Sequence, residues 1–222
     1  LLRERCNPWL SSRPIADTAF DSLGLSLLQR LAYVGEQLLW SQFQQNVKPG
    51  ASLLAHLGAT GDGSGPPLRE WYERFIRKHR QDGLSSLLEE FPVFGRLLGT
   101  VWLLWLESSV ELLERIINDD RILDKRFSIS SGATLCDIQQ GLGDPHKGGR
   151  AVTILSFRAG NKRQKVVYKP KDMRLDQAYQ ELLEDLNRQS RQPALKTLTI
   201  HSGKGYGYAE NVAHRLCTGK AQ

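Results

Sequence analysis

The stretch whose residue types and spacing best suit an anion is Gly141-Leu142-Gly143-Asp144-Pro145-His146-Lys147-Gly148-Gly149-Arg150. Its four glycines permit positive backbone angles and close approach of main-chain amides, while His146, Lys147 and Arg150 add donors and positive charge. A phosphate-binding turn is one reading. A surface hairpin, with glycines for turning and basic residues for solubility, is the other, because the stretch matches neither GxGxxG nor GxxxxGK[ST]. Lys169 lies nineteen positions after Arg150, on the strand expected to pair with the one leaving the loop. A glycine loop, its exit strand, a hairpin and a strand lysine form the layout by which a kinase small lobe holds nucleotide phosphates. That layout also needs a helix offering a carboxylate to the lysine. Glu181 and Glu184, twelve and fifteen residues beyond Lys169, sit on the next helical segment.

The string GDPHKGGR (143–150), then Val167-Tyr168-Lys169-Pro170-Lys171, Asp176, Leu186-Asn187 and Gly205-Tyr206-Gly207-Tyr208-Ala209-Glu210 resemble in order and spacing the dehydratase domain of class II lanthipeptide synthetases, the LanM type. Upstream, Glu90-Phe91-Pro92-Val93-Phe94, Trp102 and Glu114-Arg115 resemble the helical part preceding the loop in that family. The likeness is clearest from 119 to 210. It implies a lipid-kinase-like catalytic fold that uses ATP and magnesium to phosphorylate Ser and Thr of a precursor peptide, then expels phosphate to leave dehydroalanine or dehydrobutyrine. By the same resemblance Lys169 would hold nucleotide phosphates, and Asp144 and His146 would act at the transferred phosphate and in elimination. Gly148, Gly149 and Arg150 would support the loop and the cofactor. Glu181 as lysine partner and Glu210 near a hinge are weaker inferences from the layout. No HRD-like, DxHxxN-like or DFG-like segment follows Glu210, so magnesium ligands are expected in a further lobe outside this sequence. The zinc of the family's cyclase likewise has no counterpart here: His214 and Cys217 form a lone near pair, and no metal ligand is assigned.

The elements that would carry these residues follow from periodicity. Phe20, Leu23, Leu27, Leu31, Val34, Leu38 and Leu39 recur at helical spacing, and a break follows at Lys48-Pro49-Gly50. Gly58 to Pro67, with four glycines and two prolines, reads as a loop. Leu68–Lys78 and Leu84–Glu90 read as short helices, and Pro92 marks the next boundary. Val93 to Ile117 is apolar nearly all round in its first half, which predicts a buried helix there; Trp102 and Trp105 could line a ligand site, but core packing is the commoner use. Past Ser128 the period becomes two. Leu135–Gln139, Ala151–Phe157 and Lys165–Lys169 read as strands, the last two as an antiparallel hairpin turning at Gly160-Asn161. Pro170 holds Lys169 extended. Leu175, Tyr179, Leu182, Leu183 and Leu186 predict an amphipathic helix packed on the hairpin, and Leu195–His201 and 203–210 return to strand and turn.

The expected fold class is therefore α+β, with a helical part over 1–127 and a kinase-like small lobe, an antiparallel sheet plus one helix, over 128–222, the large lobe being absent. A net charge of +6 with 40% hydrophobic and 24% charged residues fits a globular chain that attracts anions. Basic residues are scattered and no RNA-binding aromatic motif or zinc-finger spacing occurs, so nucleic acid is not the expected partner. Cys6, Cys136 and Cys217 form no CxxC pair, which suits a reducing cytoplasm. The longest apolar run, Leu97–Leu106, is far short of the roughly 20 residues of a membrane span. There is no signal-peptide pattern, and the first residue is leucine, so the chain is expected to be an internal fragment that is inactive alone. Two other readings stay open: a stand-alone kinase-like phosphotransferase, and a non-catalytic module whose helical half grips an acidic leader peptide.

Overall fold

A computed structural model of the chain describes residues 2–6, 13–46, 68–143, 148–189 and 194–213. The break at 48–50, the glycine-rich segment 58–67, Asp144 and His146 of the loop, and His214 with Cys217 lie outside the described residues. The fold is α+β. Helices α1 (Leu2–Cys6), α2 (Asp17–Asn46), α3 (Leu68–Gln81), α4 (Ser85–Glu90), α5 (Pro92–Asn118) and α6 (Asp120–Phe127) precede strands β1 (Thr134–Gln139), β2 (Thr153–Ala159) and β3 (Lys162–Lys169). Helix α7 (Arg174–Gln189) and strands β4 (Ile200–Ser202) and β5 (Gly207–Glu210) follow.

The strands form one five-stranded antiparallel sheet in the order β1-β2-β3-β5-β4, which puts the lysine strand β3 in the middle. β2 and β3 are rich in β-branched and aromatic residues, whose stiff side chains suit a pleated, half-buried surface. Their hairpin is tighter than the sequence predicts. Ala159 pairs with Lys162 across Gly160-Asn161, and Gly160 takes φ 57°. A positive angle at the first central residue is the type II′ geometry, whose twist matches that of the flanking strands.

Contacts divide the chain into two compact units, Leu1–Leu27 with Leu104–Gln222, and Leu28–Leu103. The change from helix to strand at 127/128 is therefore not where compactness changes. The reason is burial. Ala19 and Leu23 of α2, Leu106, Leu112, Leu113 and Ile116 of α5, and Leu123 of α6 share one core with Leu135, Ile138, Leu155, Phe157 and Val166 of the sheet. Trp105 belongs to this core and donates its indole N–H to Leu23 O at 3.1 Å, which is the packing use of a tryptophan.

The segment before α2 also joins the sheet unit. Ile15 bridges Leu135 in parallel, and main-chain bonds of 2.9 Å run from Ala16 N to Leu135 O and from Leu135 N to Pro14 O. Arg13 beside it is fully buried. Its Nε donates to Asp120 Oδ1 at 2.7 Å, Nη1 to Ala133 O at 3.2 Å, and its guanidinium lies 5.1 Å from the Phe157 ring centre. A charge removed from water is tolerated only when paired in this way.

Two expectations are corrected. The first half of α5 is mostly exposed: Phe94 is buried, but Val93, Leu97, Trp102 and Leu103 are exposed, and the run of buried residues starts at Trp105. A helix of this length spans roughly 40 Å, and only its C-terminal half crosses the sheet. Helix α7 does not pack its leucines on the hairpin either. It has no buried residue, and Leu175, Tyr179, Leu182 and Leu186 are exposed. Its polar side chains hold it to the strand-entering segment instead: Leu198 N donates to Gln180 Oε1 at 2.8 Å, Ser202 N to Gln177 Oε1 at 3.1 Å, and Leu195 N to Asn187 Oδ1 at 2.7 Å.

The other unit, Leu28–Leu103, has its own aromatic cluster. Phe43 meets Phe75 at 5.6 Å and Tyr72 at 5.9 Å between ring centres, and Phe75 meets His79 at 4.4 Å. These side chains line a cavity of about 1070 Å3 with Leu39, Trp40, Ile76 and Leu84. Among the described residues no helix is long and apolar enough to cross a membrane.

Asp120→Ala is expected to cost about 3 kcal/mol, because it strands the Arg13 guanidinium in the core, whereas Arg13→Met is expected to cost less because charge and partner demand leave together. Urea unfolding of the two variants checks the order; equal losses would show that the ion pair is not what constrains this segment.

Candidate functional site

Register places the glycine loop and the lysine at one end of the sheet. The loop leaves β1 after Gln139 and enters β2 at Thr153, and Thr153 pairs with Tyr168. Lys169, one residue on, pairs with Gly207 on the other flank. Neighbouring strands lie about 4.8 Å apart, so residues 150–152 run beside the end of β3. Lys169 is half-buried, and among the described residues it makes no ion pair. Neighbouring charges on this end are already engaged: Lys171 with Asp176 at 3.2 Å and Arg174 with Asp172 at 2.5 Å.

Strand alternation assigns the faces. Tyr168 points into the core shared with α5, so Lys169 points to the opposite face. Val167 shares that second face with neither Tyr168 nor Val166, and its register partners Ile154 on β2 and Ala209 on β5 stand beside it; Ala209 in turn pairs with Ile200 on β4. Directly paired residues share a face. The result is an apolar row across four strands, two residues along β3 from the lysine ammonium.

On the core face a polar network reaches the same end. Arg150 Nε donates to Glu111 Oε2 at 2.5 Å, and the other oxygen of Glu111 pairs with Arg115. Arg115 Nη1 donates to the Tyr168 hydroxyl at 2.5 Å, and its guanidinium lies 4.3 Å from the Tyr206 ring centre. Tyr206 and Tyr208 both donate their hydroxyls to Asp119 Oδ2, at 2.7 and 3.0 Å. The loop tail is folded onto Arg150. Gly148 has φ 78°, and a Cβ there would come within 2.9 Å of Arg150 Nη1, so only glycine fits without displacing the guanidinium. Gly149 has the same positive φ of 78°.

Of the residues singled out in the sequence, Gly148, Gly149, Arg150 and Lys169 thus share one end of the sheet, with Arg150 turned to the α5 face and Lys169 to the other. Asp144 and His146 lie outside the described residues. Glu181 is exposed on α7 and accepts from Gln177 Nε2 at 3.0 Å; no ion pair joins it to Lys169. Glu210 accepts from Thr199 N at 3.2 Å and closes the β4–β5 end. Glu111, Arg115, Asp119 and the three tyrosines were not among the residues expected at the site. Their signal lies in the spacing: Glu111, Arg115 and, just past the helix end, Asp119 recur every four residues and so fall on one helical face. Among the described residues no three His, Cys, Asp or Glu side chains cluster so as to hold a metal ion.

Burial and the nearby Asp119 carboxylate keep the phenols of Tyr206 and Tyr208 protonated well above the usual tyrosine range, and burial does the same to Tyr168 despite the opposing Arg115. In the unfolded chain these phenols ionise near pH 10. Their contribution to stability is therefore complete below about pH 10 and is lost as pH climbs toward the higher folded values, where the unfolded state sheds protons first. Thermal melts from pH 8 to 11 are expected to show this alkaline decline, and Tyr206→Phe and Tyr208→Phe are each expected to flatten it; unchanged slopes would contradict the assignment.

The family model of a domain of unknown function, DUF4135, matches residues 91–222. No curated protein matches the chain. The matched span opens just before α5 and contains the loop, the lysine strand and every member of the polar network. It covers more than half of the sequence, and the chain belongs to the DUF4135 family.

Proposed function

We propose that this chain carries the nucleotide-phosphate half of a kinase-like dehydratase of the lanthipeptide-synthetase type, acting on Ser and Thr of a precursor peptide. The observation that carries the reading is register: the exit of a glycine-rich, basic loop and the extended Lys169 share one end of adjacent strands, with Lys169 on the face turned away from α5. The motif resemblance across 143–210 adds the reaction class.

The chain's residues fit a nucleotide's charged tail. Lys169 is unpaired among the described residues and can meet phosphate oxygens without first breaking a salt bridge. Glycines 148 and 149 let main-chain amides approach, and the Ile154, Val167, Ala209 row lies on the same face of the sheet as Lys169. ATP supplies the phosphoryl group when bound. Positioned cations and donors stabilise the negative charge that develops on that group. Asp144 and His146 are proposed, from the resemblance alone, to act at the transferred phosphate and in its elimination. The described residues do not make up a magnesium site, and no step is assigned to that ion. A reducing cytoplasm is the setting this reading requires of its thiols and its precursor peptide.

A second reading rests on the aromatic cavity of the Leu28–Leu103 unit, whose Trp40 and Tyr72 are 57% and 54% exposed. Exposed aromatic surface beside Arg77 and Arg80 suits a peptide with apolar and acidic residues. Here the chain is a binding module.

The test uses the intact gene product with ATP and its precursor peptide. Phosphorylation adds about 80 Da and completed dehydration removes about 18 Da per site, so mass separates a kinase from a dehydratase. Lys169→Ala is expected to lower phosphorylation by at least about 100-fold, and His146→Ala to leave phosphorylated intermediate; full activity in both would remove the site assignment. On the second reading, peptide affinity is indifferent to ATP and to Lys169→Ala but falls about ten-fold or more in Trp40→Ala, and an unaltered affinity in that variant would dismiss the cavity.

A further inference from the structure

Arg150 is a loop residue whose guanidinium does not turn toward Lys169. Its Nε edge is taken by Glu111 at 2.5 Å, and its Nη1 lies where a side chain on Gly148 would be. Glu111 is one-quarter exposed and Arg150 about one-third, so the pair is partly withdrawn from water. A charge-assisted bond there is stronger and more directional than one on an open surface. The same carboxylate also pairs with Arg115, which bonds the Tyr168 hydroxyl, and Tyr168 precedes Lys169. One carboxylate on α5 thus connects the tail of the glycine loop to the end of the lysine strand.

We propose that Glu111 is a positioning residue: it anchors Arg150 beneath the glycine turn and, through Arg115 and Tyr168, sets the loop against Lys169. This deepens the nucleotide-site reading and rests on it for its kinetic consequence, but not for the anchoring itself. Glu111 lies on the α5 side of the sheet, and among the described residues it makes no ion pair with Lys169. Its effect passes through Arg150 on one side and through Arg115 on the other. The glycines make the loop backbone free, and freedom must be removed for a loop to hold a ligand in one geometry. The Glu111–Arg150 pair limits that freedom at the exit, directly after two consecutive glycines.

The experiment compares wild type, Glu111→Gln, Arg150→Gln and the double variant in the intact gene product, with Glu111→Asp as the conservative replacement. The first readout needs no nucleotide: hydrogen exchange of the amides of Gly148–Val152. Exchange there is expected to accelerate about ten-fold or more in either single variant, to accelerate no further in the double, and to be partly restored by Glu111→Asp. The second readout is ATP affinity and the split of KM from kcat. KM for ATP is expected to rise about ten-fold in Glu111→Gln while kcat stays within about three-fold, and Glu111→Gln is expected to change KM by less than about two-fold once Arg150 is already Gln. Full additivity of the two substitutions, or unchanged exchange at Gly148–Val152, overturns the anchor. If the wild type binds no ATP, the functional reading falls and the exchange data alone decide the anchor. Should Glu111→Gln fail to fold, Arg150→Gln, which leaves the Glu111–Arg115 pair intact, reads the same exchange.

Discussion

The shared carboxylate of Glu111 is the interaction on which the sheet end depends. Two guanidiniums and a tyrosine hydroxyl converge on it and its neighbour Arg115 between α5 and the sheet. Groups partly withdrawn from water must find partners or pay the cost of desolvation, so α5 can meet the sheet in one register only. Sliding β3 by one residue would turn Tyr168 away from Arg115 and drive the Lys169 ammonium into the apolar core. The placement of Lys169 on the face away from the core is in this sense a consequence of the burial of Tyr168.

The same logic extends to the second strand pair. Tyr206 and Tyr208 reach Asp119 at the end of α5, and their rings stand 5.8 to 6.0 Å from Tyr168. Aromatic faces meeting at tilted angles add packing to the hydrogen bonds. β5 is thereby held against β3, and Gly207 is set opposite Lys169, where Met173 and the His201 carbonyl leave no room for a side chain. The face turned to α5 carries the charged anchors, whereas the other face carries the Ile154, Val167, Ala209 row flanked by Lys169 on one side and Lys165 on the other, so the sheet has two different surfaces.

Local chemistry was readable where it is decided locally. The period-two runs of β2 and β3, the Gly160-Asn161 turn and the helical spacing of α2, α3 and α7 follow from side-chain stiffness and backbone freedom, and each element lies where periodicity puts it. The exposed apolar side chains in the first half of α5 and along α7 depart from the periodicity expectation for a common reason. An apolar pattern states that a face can be buried, but not that a partner is present to bury it. Glu111, Arg115 and Asp119 carry no functional signal in sequence alone because charges on a helix are usually solvated, and the four-residue spacing that sets them on one face has meaning only once that face is known to meet the sheet.

Residue type and short-range spacing are enough to specify the glycine-rich basic loop, the proline-flanked lysine nineteen residues after Arg150, and the α+β order of the elements. That Arg150 turns to α5 while Lys169 faces away, that Glu181 pairs within its own helix, and that the core binds helices α5 and α6 to the sheet follow from the packing of the folded chain. Such choices are set by which strand lies beside which and by which buried charge finds a partner, and both are long-range facts that no window of sequence contains.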